Sequence, residues 1–598
     1  MSVAPVTRHP GLAARWQSFE EWVGTRSSAA ALFVVALAVF AIQSVVLPVQ
    51  PGRDMGRYVQ AFVQLFYEEP ILPSVLNTRG PITALGVGVP LQLGGVAAEI
   101  WLGLLYAASI VAWGRVAMTF GARAAVLATV LLLAFPGYGI LFHGLASDAL
   151  FAAAFAGWAL LLTRAILKPS VPAFLAVGLG MGVLVLVRPA NQALVLFALL
   201  PLLLRARWER RLTWAAAFFV ASSAVTQGWQ ALAHLRWGDT VGLKPSTAVV
   251  ATSVALSLFF VPAAWRRRLG LLAVPFVAAV VAFNWSSVQN PAETVRSLAQ
   301  APPANIFLFR VFEMDRIVSP ENGPASRQLG QVVERELLAE EPYRSYDIDL
   351  DEFFSSGSDR MFVDLASLGG SADLPAVTEE AIRRHPGAFA TGILGTIWEM
   401  LWWSRVYGPE TAAPNVEPRG GPDLGVVEVN HRDLPQPTEG EPIPASRVGP
   451  AIRTLEGQAR EVWVSATEHH LSFDDPRDAS RYARFERDNG RLGGRIPTRD
   501  KVQGLVHRLN QVSYRFPPPF VWLVIGVVAL AVRRPRHALV ALAPSVAALV
   551  VVSVTGAVTL AVGEYVVPVA PAFVLLTAAG LVGADPRGRL PLRRARVT

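Results

Sequence analysis

Six side chains that stand beside long apolar runs could do chemistry: Asp54, Arg79, Asp148, Arg188, Glu564 and Tyr565. Ionisable groups at the edge of a lipid bilayer are rare and are retained mainly for function. Arginine binds phosphate oxygens through paired hydrogen bonds, and an ionised carboxylate can accept a proton from a hydroxyl group. Together these groups suit a phosphate substrate that is linked to a lipid. The alternative is a set of unrelated interfacial charges that balance one another.

Structural alternatives apply to single residues as well. Asp54 and Asp148 each precede an apolar or amphipathic stretch, and aspartate is favoured where it caps a helix N-terminus. We treat both as candidate catalytic groups, with helix capping as the alternative. His143 shares a short loop with Asp148 and could equally be an ordinary interfacial histidine. The candidate substrate-binding residues are Arg53, Arg57, Tyr58, Arg79, His143, Arg188, Glu564 and Tyr565.

The composition is that of a membrane protein. Of the 598 residues, 53% are apolar and only 16% are charged, against about 25% charged in an ordinary soluble domain. The mean hydropathy is +0.40. These values argue against a soluble globular protein.

The net charge of +8 is divided unevenly along the chain. The stretch from Val288 to Pro518 holds 34 of the 45 acidic residues and 25 of the 53 basic residues, so it carries −9 and the remainder carries +17. Such asymmetry indicates two environments within one chain. Nucleic-acid binding is disfavoured, because the excess cations form short clusters between apolar runs.

The sequence contains no cysteine, which excludes disulfides, thiolate nucleophiles and cysteine zinc sites. It also lacks an HExxH motif and any clustered His/Asp ligand spacing. No cofactor is therefore implied, although a divalent metal ion stays open as an alternative.

Membrane-spanning helices need about 20 mostly apolar residues, and about twelve candidates follow from this criterion. They are Ser28–Leu47, Glu99–Phe120, Arg123–Leu141, Ala149–Leu167, Val171–Val187, Ala190–Leu204, Leu212–Leu232, Thr247–Ala264, Leu269–Trp285, Phe520–Val532, Ala538–Val554 and Tyr565–Val582.

Basic clusters between the runs predict the orientation of these helices, because positive residues favour the cytoplasmic side. Two spans separate each cluster from the next, so one side of the membrane holds all four: Arg205–Arg211, Arg266–Arg268, Arg533–Arg536 and Arg587–Arg596. The same count places residues 50–80, residues 142–148 and Val288–Pro518 outside. It thereby brings the six candidate side chains to the outer face.

Two further apolar runs would make the count of spans inconsistent with the basic clusters if they crossed the membrane. Pro81–Val96 is short and interrupted by Pro90 and several glycines, and we interpret it as a re-entrant or in-plane segment. Gly387–Ser404 is rich in tryptophan, which favours the membrane interface, so we interpret it as an interfacial helix.

The predicted fold class is an all-α polytopic membrane protein with a mixed, partly irregular exterior domain. Its parts are a cytoplasmic segment (1–27), a transmembrane module (28–287) with exterior loops at 49–80 and 142–148, the exterior domain (288–518) with the interfacial helix near 387–404, C-terminal transmembrane helices (519–583) and a basic cytoplasmic tail (584–598). We expect the exterior domain to cover the site or to select the acceptor. Its acidic composition argues against docking on anionic lipid by charge.

In the order and sidedness of its motifs the chain resembles the polytopic GT-C glycosyltransferases. The branches it resembles are the dolichyl-phosphate-mannose–protein mannosyltransferases and the bacterial aminoarabinose transferases that act on lipid A. The resemblance covers roughly residues 28–290 and 520–582. The motifs are Asp54 after the first span, Arg79-Gly-Pro81, Phe135-Pro136 with Ser147-Asp148-Ala-Leu150, Val187-Arg188-Pro189, and Glu564-Tyr565-Val-Val-Pro568.

The resemblance implies a role for four residues. It implies that Asp54 is the catalytic base or organises the acceptor, that Asp148 lies near the same cavity, and that Arg79 and Arg188 hold the carrier phosphate. The chain departs from the family pattern at two places. Met55 follows Asp54 where many relatives have a second acidic residue, and Glu564 stands where many have arginine. The second departure leaves the identity of the sugar donor undetermined.

The function expected from these observations is inverting transfer of a sugar from a polyprenyl-phosphate donor. The acceptor would be a glycan, lipid or protein of the cell envelope, at the outer face of the bacterial cytoplasmic membrane. Surrounding lipid is the other expected partner, and nucleic acid is not. One alternative is a transporter or flippase of lipid-linked substrates, which is disfavoured because charges are nearly absent from mid-span positions. Another is a non-catalytic cell-envelope assembly protein, which nothing in 288–518 excludes.

Overall fold

The computed structural model describes residues 12–237, 307–402 and 450–583, apart from short gaps at 73–74, 77–78, 341–342, 357–360, 363, 366–367, 369–371, 455–458, 464–468, 474, 497–499, 514, 560 and 562. Several predictions lie outside the described residues. They are the spans Thr247–Ala264 and Leu269–Trp285, the basic clusters Arg266–Arg268 and Arg587–Arg596, and the ends of the chain.

The described chain is mainly helical. In order, its α-helices are α1 (Leu12–Val23), α2 (Arg26–Val46), α3 (Met55–Gln64), α4 (Pro81–Leu93), α5 (Gly95–Ala117), α6 (Ala122–Leu133), α7 (Pro136–Leu141), α8 (Ser147–Leu167), α9 (Val171–Val187), α10 (Trp208–Trp237), α11 (Pro324–Val333), α12 (Tyr343–Tyr346), α13 (Leu350–Ser356), α14 (Leu374–Arg384), α15 (Pro386–Trp402), α16 (Pro476–Gly493), α17 (Asp500–Ser513), α18 (Pro519–Arg533), α19 (Ala538–Val558), α20 (Gly563–Val566) and α21 (Pro571–Val582).

Four of these helices are long and apolar enough to cross a membrane: Arg26–Val46, Gly95–Phe120 (α5 with the 3₁₀ turn that follows it), Ser147–Leu167 and Ala538–Val558. Shorter apolar helices accompany them, at Pro81–Leu93, Ala122–Leu133, Val171–Val187, Pro189–Leu203, Pro519–Arg533 and Pro571–Val582. The chain is therefore a multi-pass membrane protein, and the number of about twelve spans stays a prediction.

Two of the predicted continuous spans are divided in the structure. Arg123–Leu141 forms α6 and α7, which are separated at Phe135. The proline at 136 pushes the residue before it out of the helical region, and Phe135 is extended (φ −82°, ψ 101°). Likewise Tyr565–Val582 forms the single turn α20 and then α21, which begins at Pro571.

Two other predicted segments form helices with unexpected geometry. Pro81–Val96 contains a continuous helix, α4, which ends just before Gly94 (φ +116°). Its 13 residues reach about 20 Å at 1.5 Å per residue, which is shorter than the roughly 30 Å hydrocarbon core of a membrane. The predicted span Ala190–Leu204 is a 3₁₀ helix, Pro189–Leu203. Its 15 residues reach about 30 Å, because a 3₁₀ helix rises about 2.0 Å per residue.

The described parts of the 288–518 segment contain helices and a small sheet. Helices α11 to α14 enclose a hydrophobic core of their own, which includes Phe312, Leu329 and Phe353. The antiparallel sheet has the order β3 (Pro450–Thr454), β4 (Ala459–Trp463), β5 (His469–Phe473). The described parts of this segment therefore combine helices with strands.

A buried arginine joins this segment to the membrane helices. Arg310 is 2% exposed and pairs with Asp315 at 2.8 Å. Its guanidinium also donates to the Thr396 hydroxyl of α15 at 2.6 Å and to the Gly556 carbonyl of α19 at 3.4 Å. This contact fixes α15, the helix predicted to be interfacial, against α19.

Candidate active site

A short parallel strand pair clamps the two candidate loops together. β1 (Gln50–Pro51) pairs with β2 (Gly144–Leu145), and the Gln50 N–H donates to the His143 carbonyl at 2.8 Å. Asp54 lies three residues after β1, and Asp148 lies three residues after β2. The pairing therefore holds both carboxylates at the same end of the membrane module.

Asp54 pairs with Arg79 rather than capping its helix. It occupies the N-cap position of α3, but its side chain makes no capping hydrogen bond. Its carboxylate lies 3.2 Å from the Arg79 guanidinium, and both side chains are partly open to solvent, at 39% and 31% exposure. Its backbone is left-handed (φ 61°), a conformation that few residues other than glycine adopt. Such strain is typical of functional sites.

Asp148 and Arg188 form a second, buried ion pair. Asp148 lies in the first turn of α8, and Arg188 follows the last residue of α9. Only 7% of the Asp148 side chain and 15% of the Arg188 side chain are exposed. Arg188 also donates to the Ser147 hydroxyl at 3.2 Å and to the Glu564 carbonyl at 3.2 Å. One guanidinium thus joins α8, α9 and the segment that precedes the last span.

The two arginines are brought together by a close backbone contact. Gly80 packs so tightly on the carbonyl of Leu186 that an added Cβ would lie 1.7 Å from that oxygen. Beside this contact the Thr83 hydroxyl donates to the Val187 carbonyl at 2.9 Å. Since these backbone segments carry Arg79 and Arg188, the contact determines their relative position.

Two tyrosine rings lie against the arginines of this region. The guanidinium of Arg79 lies 5.5 Å from the Tyr58 ring centre. Those of Arg53 and Arg188 lie 5.6 Å and 5.4 Å from the Tyr565 ring centre, distances typical of cation–π contacts. Three guanidinium groups and one partly open carboxylate are therefore gathered where the first loop meets the last span. We refer to Arg53, Asp54, Tyr58, Arg79, Asp148, Arg188 and Tyr565 as the arginine–tyrosine cluster.

Arg57 and Glu564 lie beside this cluster. Burial, together with the nearby positive charge of Arg79, lowers the pKa of Arg57. Its side chain donates to Gln60 at 3.3 Å. Glu564 is only 4% exposed and contributes its backbone carbonyl to Arg188.

The structure does not bring His143 to the cluster. Its side chain is 2% exposed and stacks on Phe40 of α2, with ring centres 4.4 Å apart and planes 1° from parallel. One ring nitrogen lies 3.4 Å from the Gln43 side-chain oxygen. Burial lowers the pKa of His143 to about 3, so the ring is neutral at physiological pH. The loop position suggested a substrate contact, whereas the packing is that of a core histidine.

Sequence reasoning missed the helix that covers the first loop. This helix is α16, Pro476–Gly493. The tyrosine hydroxyl of Tyr67 donates to Asp488 at 2.9 Å, and Arg481 pairs with Glu69 at 3.0 Å. The spacing of Tyr482, Phe485, Asn489 and Leu492 along one helix face could have revealed this docking surface.

Among the residues that the structure describes, no group of three or more metal-type ligands occurs.

Similar solved structures are those of ArnT from Cupriavidus metallidurans, one bound to undecaprenyl phosphate and one in the apo state. Both are 18% identical to this chain, with TM-scores of 0.28 and 0.27. The matches cover 63% and 66% of this chain and 81% of the ArnT chain. No family model and no curated protein matches the chain. The contacts of the arginine–tyrosine cluster, rather than this similarity, support the function proposed below.

Proposed function

We propose that the protein transfers a sugar from a polyprenyl-phosphate carrier to a cell-envelope acceptor at the outer face of the bacterial cytoplasmic membrane. The observation that carries this proposal is the partly open Asp54–Arg79 pair, which lies in one cluster with the buried Asp148–Arg188 pair. A lipid-linked phosphate needs cationic groups near the membrane surface, and transfer to a hydroxyl needs a base beside them.

In the proposed reaction Asp54 accepts the proton of the acceptor hydroxyl. The hydroxyl oxygen then forms a bond to the anomeric carbon from the face opposite the phosphate, which inverts the configuration. The bond between the anomeric carbon and the phosphate oxygen breaks, and the polyprenyl phosphate leaves with the electron pair. Arg79 and Arg188 stabilise the negative charge that grows on this leaving group.

The test uses the full chain in vesicles with radiolabelled polyprenyl-phosphate sugars and envelope lipid or glycan acceptors. We expect Asp54→Asn to lower transfer by about 100-fold or more, because general-base catalysis commonly contributes 10²–10⁴-fold. Asp478→Asn is the matched control, since Asp478 is also a partly exposed aspartate (30%) that pairs with an arginine, at 3.4 Å. Its transfer rate should equal that of the wild type.

Two results would contradict the proposal. One is wild-type transfer by Asp54→Asn. The other is the absence of transfer by the wild-type protein from every polyprenyl-phosphate sugar in the panel, as expected for a transporter or a non-catalytic assembly protein.

A further inference from the structure

Helix α16 carries a stripe of charged side chains that lies apart from the arginine–tyrosine cluster. Positions 481, 484, 488, 491 and 495 are spaced alternately by three and four residues, so they share one face of the helix and its continuation. Four of the five are arginines. We call Arg481, Arg484, Arg491 and Arg495 the arginine stripe.

The arginine stripe lines a cavity of about 940 Å³ between α16, the C-terminal end of α3 and the end of α4. The opposite wall includes Phe62, Phe66 and Tyr67 from the first loop, the carboxylates Glu68 and Glu69, and Gln92 from α4. This volume is large enough for a lipid head group and the adjoining part of its chains.

Exposed apolar side chains begin where this cavity ends. Phe66 is 65% exposed at its edge, and Leu93, the residue after Gln92, is 77% exposed. Val96 at the start of α5 is 73% exposed. Exposed apolar surface in a membrane protein faces lipid, so the cavity places cationic groups directly beside a surface that suits acyl chains.

The charges that line the cavity are only partly neutralised by the protein. Arg481 pairs with Glu69 at 3.0 Å and with Asp478 at 3.4 Å. Arg491, whose side chain is 78% exposed, lies 3.8 Å from Asp488. Within the described part of the chain, Arg484 has no carboxylate within 4.0 Å; its guanidinium lies 5.6 Å from the Tyr67 ring centre.

Arg495 likewise has no carboxylate partner among the described residues. It donates to the backbone carbonyls of Leu91, at 2.6 Å, and Gln92.

Burial and the hydrogen bond to Asp488 raise the pKa of Tyr67 to about 12, so this hydroxyl remains a neutral donor to that carboxylate. The lining holds the four arginines of the stripe and the three carboxylates Glu68, Glu69 and Asp488, so it keeps a net positive charge of one that an anionic ligand would neutralise.

We propose that this cavity binds the phosphate head group of an anionic bilayer lipid, with its acyl chains along Phe66, Leu93 and Val96. The bound lipid joins α16 to α3 and α4 and so anchors the 288–518 segment over the membrane module. The net charge of −9 for that segment disfavours docking on anionic lipid, but the face of α16 that meets the membrane module has the opposite local charge.

The test measures lipid binding by the full-length protein in detergent, by native mass spectrometry with phosphatidylglycerol, phosphatidylcholine and inorganic phosphate. We expect the wild type to bind phosphatidylglycerol more tightly than phosphatidylcholine. The double variant Arg484→Gln/Arg491→Gln should bind phosphatidylglycerol about 10- to 30-fold more weakly, as expected for the loss of two arginines near an anionic head group. Arg487→Gln is the matched control, because Arg487 is exposed on the same helix but does not line the cavity.

The variant Arg484→Lys/Arg491→Lys keeps the charge and should retain most of the binding, which separates a charge effect from loss of folding. The proposal is wrong if phosphatidylcholine binds as tightly as phosphatidylglycerol, or if Arg487→Gln or the lysine variant loses as much affinity as the glutamine double variant. Binding of inorganic phosphate as tightly as phosphatidylglycerol would also overturn it, because the site would then hold a free ion rather than a lipid.

Discussion

The contact between Gly80 and Leu186 gives the sharpest test of how the arginine–tyrosine cluster is assembled. In the variant Gly80→Ala the new Cβ would lie 1.7 Å from the Leu186 carbonyl oxygen, whereas real Cβ contacts are essentially never shorter than 3.0 Å. The neighbouring atom is backbone, so it cannot rotate away as a side chain would. The two backbone segments must therefore separate by about 1.3 Å, the difference between these distances.

Two losses should follow from this separation. Forcing an extra methyl group into a well-packed contact costs about 1–3 kcal/mol, which lowers the thermal unfolding temperature in detergent. The displacement also moves Arg79 away from Arg188, and a shift of about 1 Å in a catalytic constellation can lower the rate about 100-fold. Thermal unfolding and sugar transfer by the purified full chain measure the two effects separately.

Gly157→Ala provides the control. Gly157 lies within α8, and an added Cβ there meets no atom within 4 Å. Because alanine favours the helix over glycine by about 1 kcal/mol, this variant should be as stable as the wild type or slightly more so. The reasoning is refuted if Gly80→Ala matches the wild type in unfolding temperature and transfer, or if Gly157→Ala is equally damaged.

Two further predictions concern charged groups. Asp148→Asn and Arg188→Met should each destabilise the protein by about 3–5 kcal/mol, because each leaves a buried charge without its partner. The double variant should lose less than the sum of the two, and additive losses in a double-mutant cycle of unfolding free energies would contradict the pair. Burial raises the pKa of Glu486 on α16, because the folded state disfavours the ionised carboxylate. The resulting loss of folding stability is absent below the unfolded pKa of about 4.3, and it develops as pH rises through the raised value. The unfolding temperature of the wild type should therefore fall relative to Glu486→Gln between pH 4 and pH 8, and parallel curves for the two proteins would refute the assignment.

The sequence predicted helix identity better than helix continuity. Apolar runs and basic clusters are local features, and the helices α2, α8, α9 and α19 begin within two residues of their predicted starts. A run such as Arg123–Leu141 remains apolar across Phe135, although Pro136 divides it. Hydropathy reports how apolar a segment is, whereas the division depends on backbone geometry around proline.

Residue type proved a weaker guide than packing for single positions. His143 and Asp148 stand in one loop, and both suggested chemistry from the sequence. In the structure Asp148 contacts Arg188, but His143 stacks on Phe40. The ring partner comes from a helix about a hundred residues earlier, and no local pattern in a single sequence specifies such a contact. The docking of α16 on α3 is equally long-range.

The different burial of the two ion pairs divides the roles that we propose for them. A buried pair is expensive to break, at about 3–5 kcal/mol, because its remaining partner loses both water and counter-charge. A pair that is 31–39% exposed contributes only about 0–1 kcal/mol, since water can replace either partner. Asp54 can therefore release Arg79 and meet an acceptor hydroxyl at little cost, while Arg79 turns to the carrier phosphate. Asp148 cannot exchange its partner so readily, and we infer that it is a positioning residue that holds Arg188 beside the same phosphate.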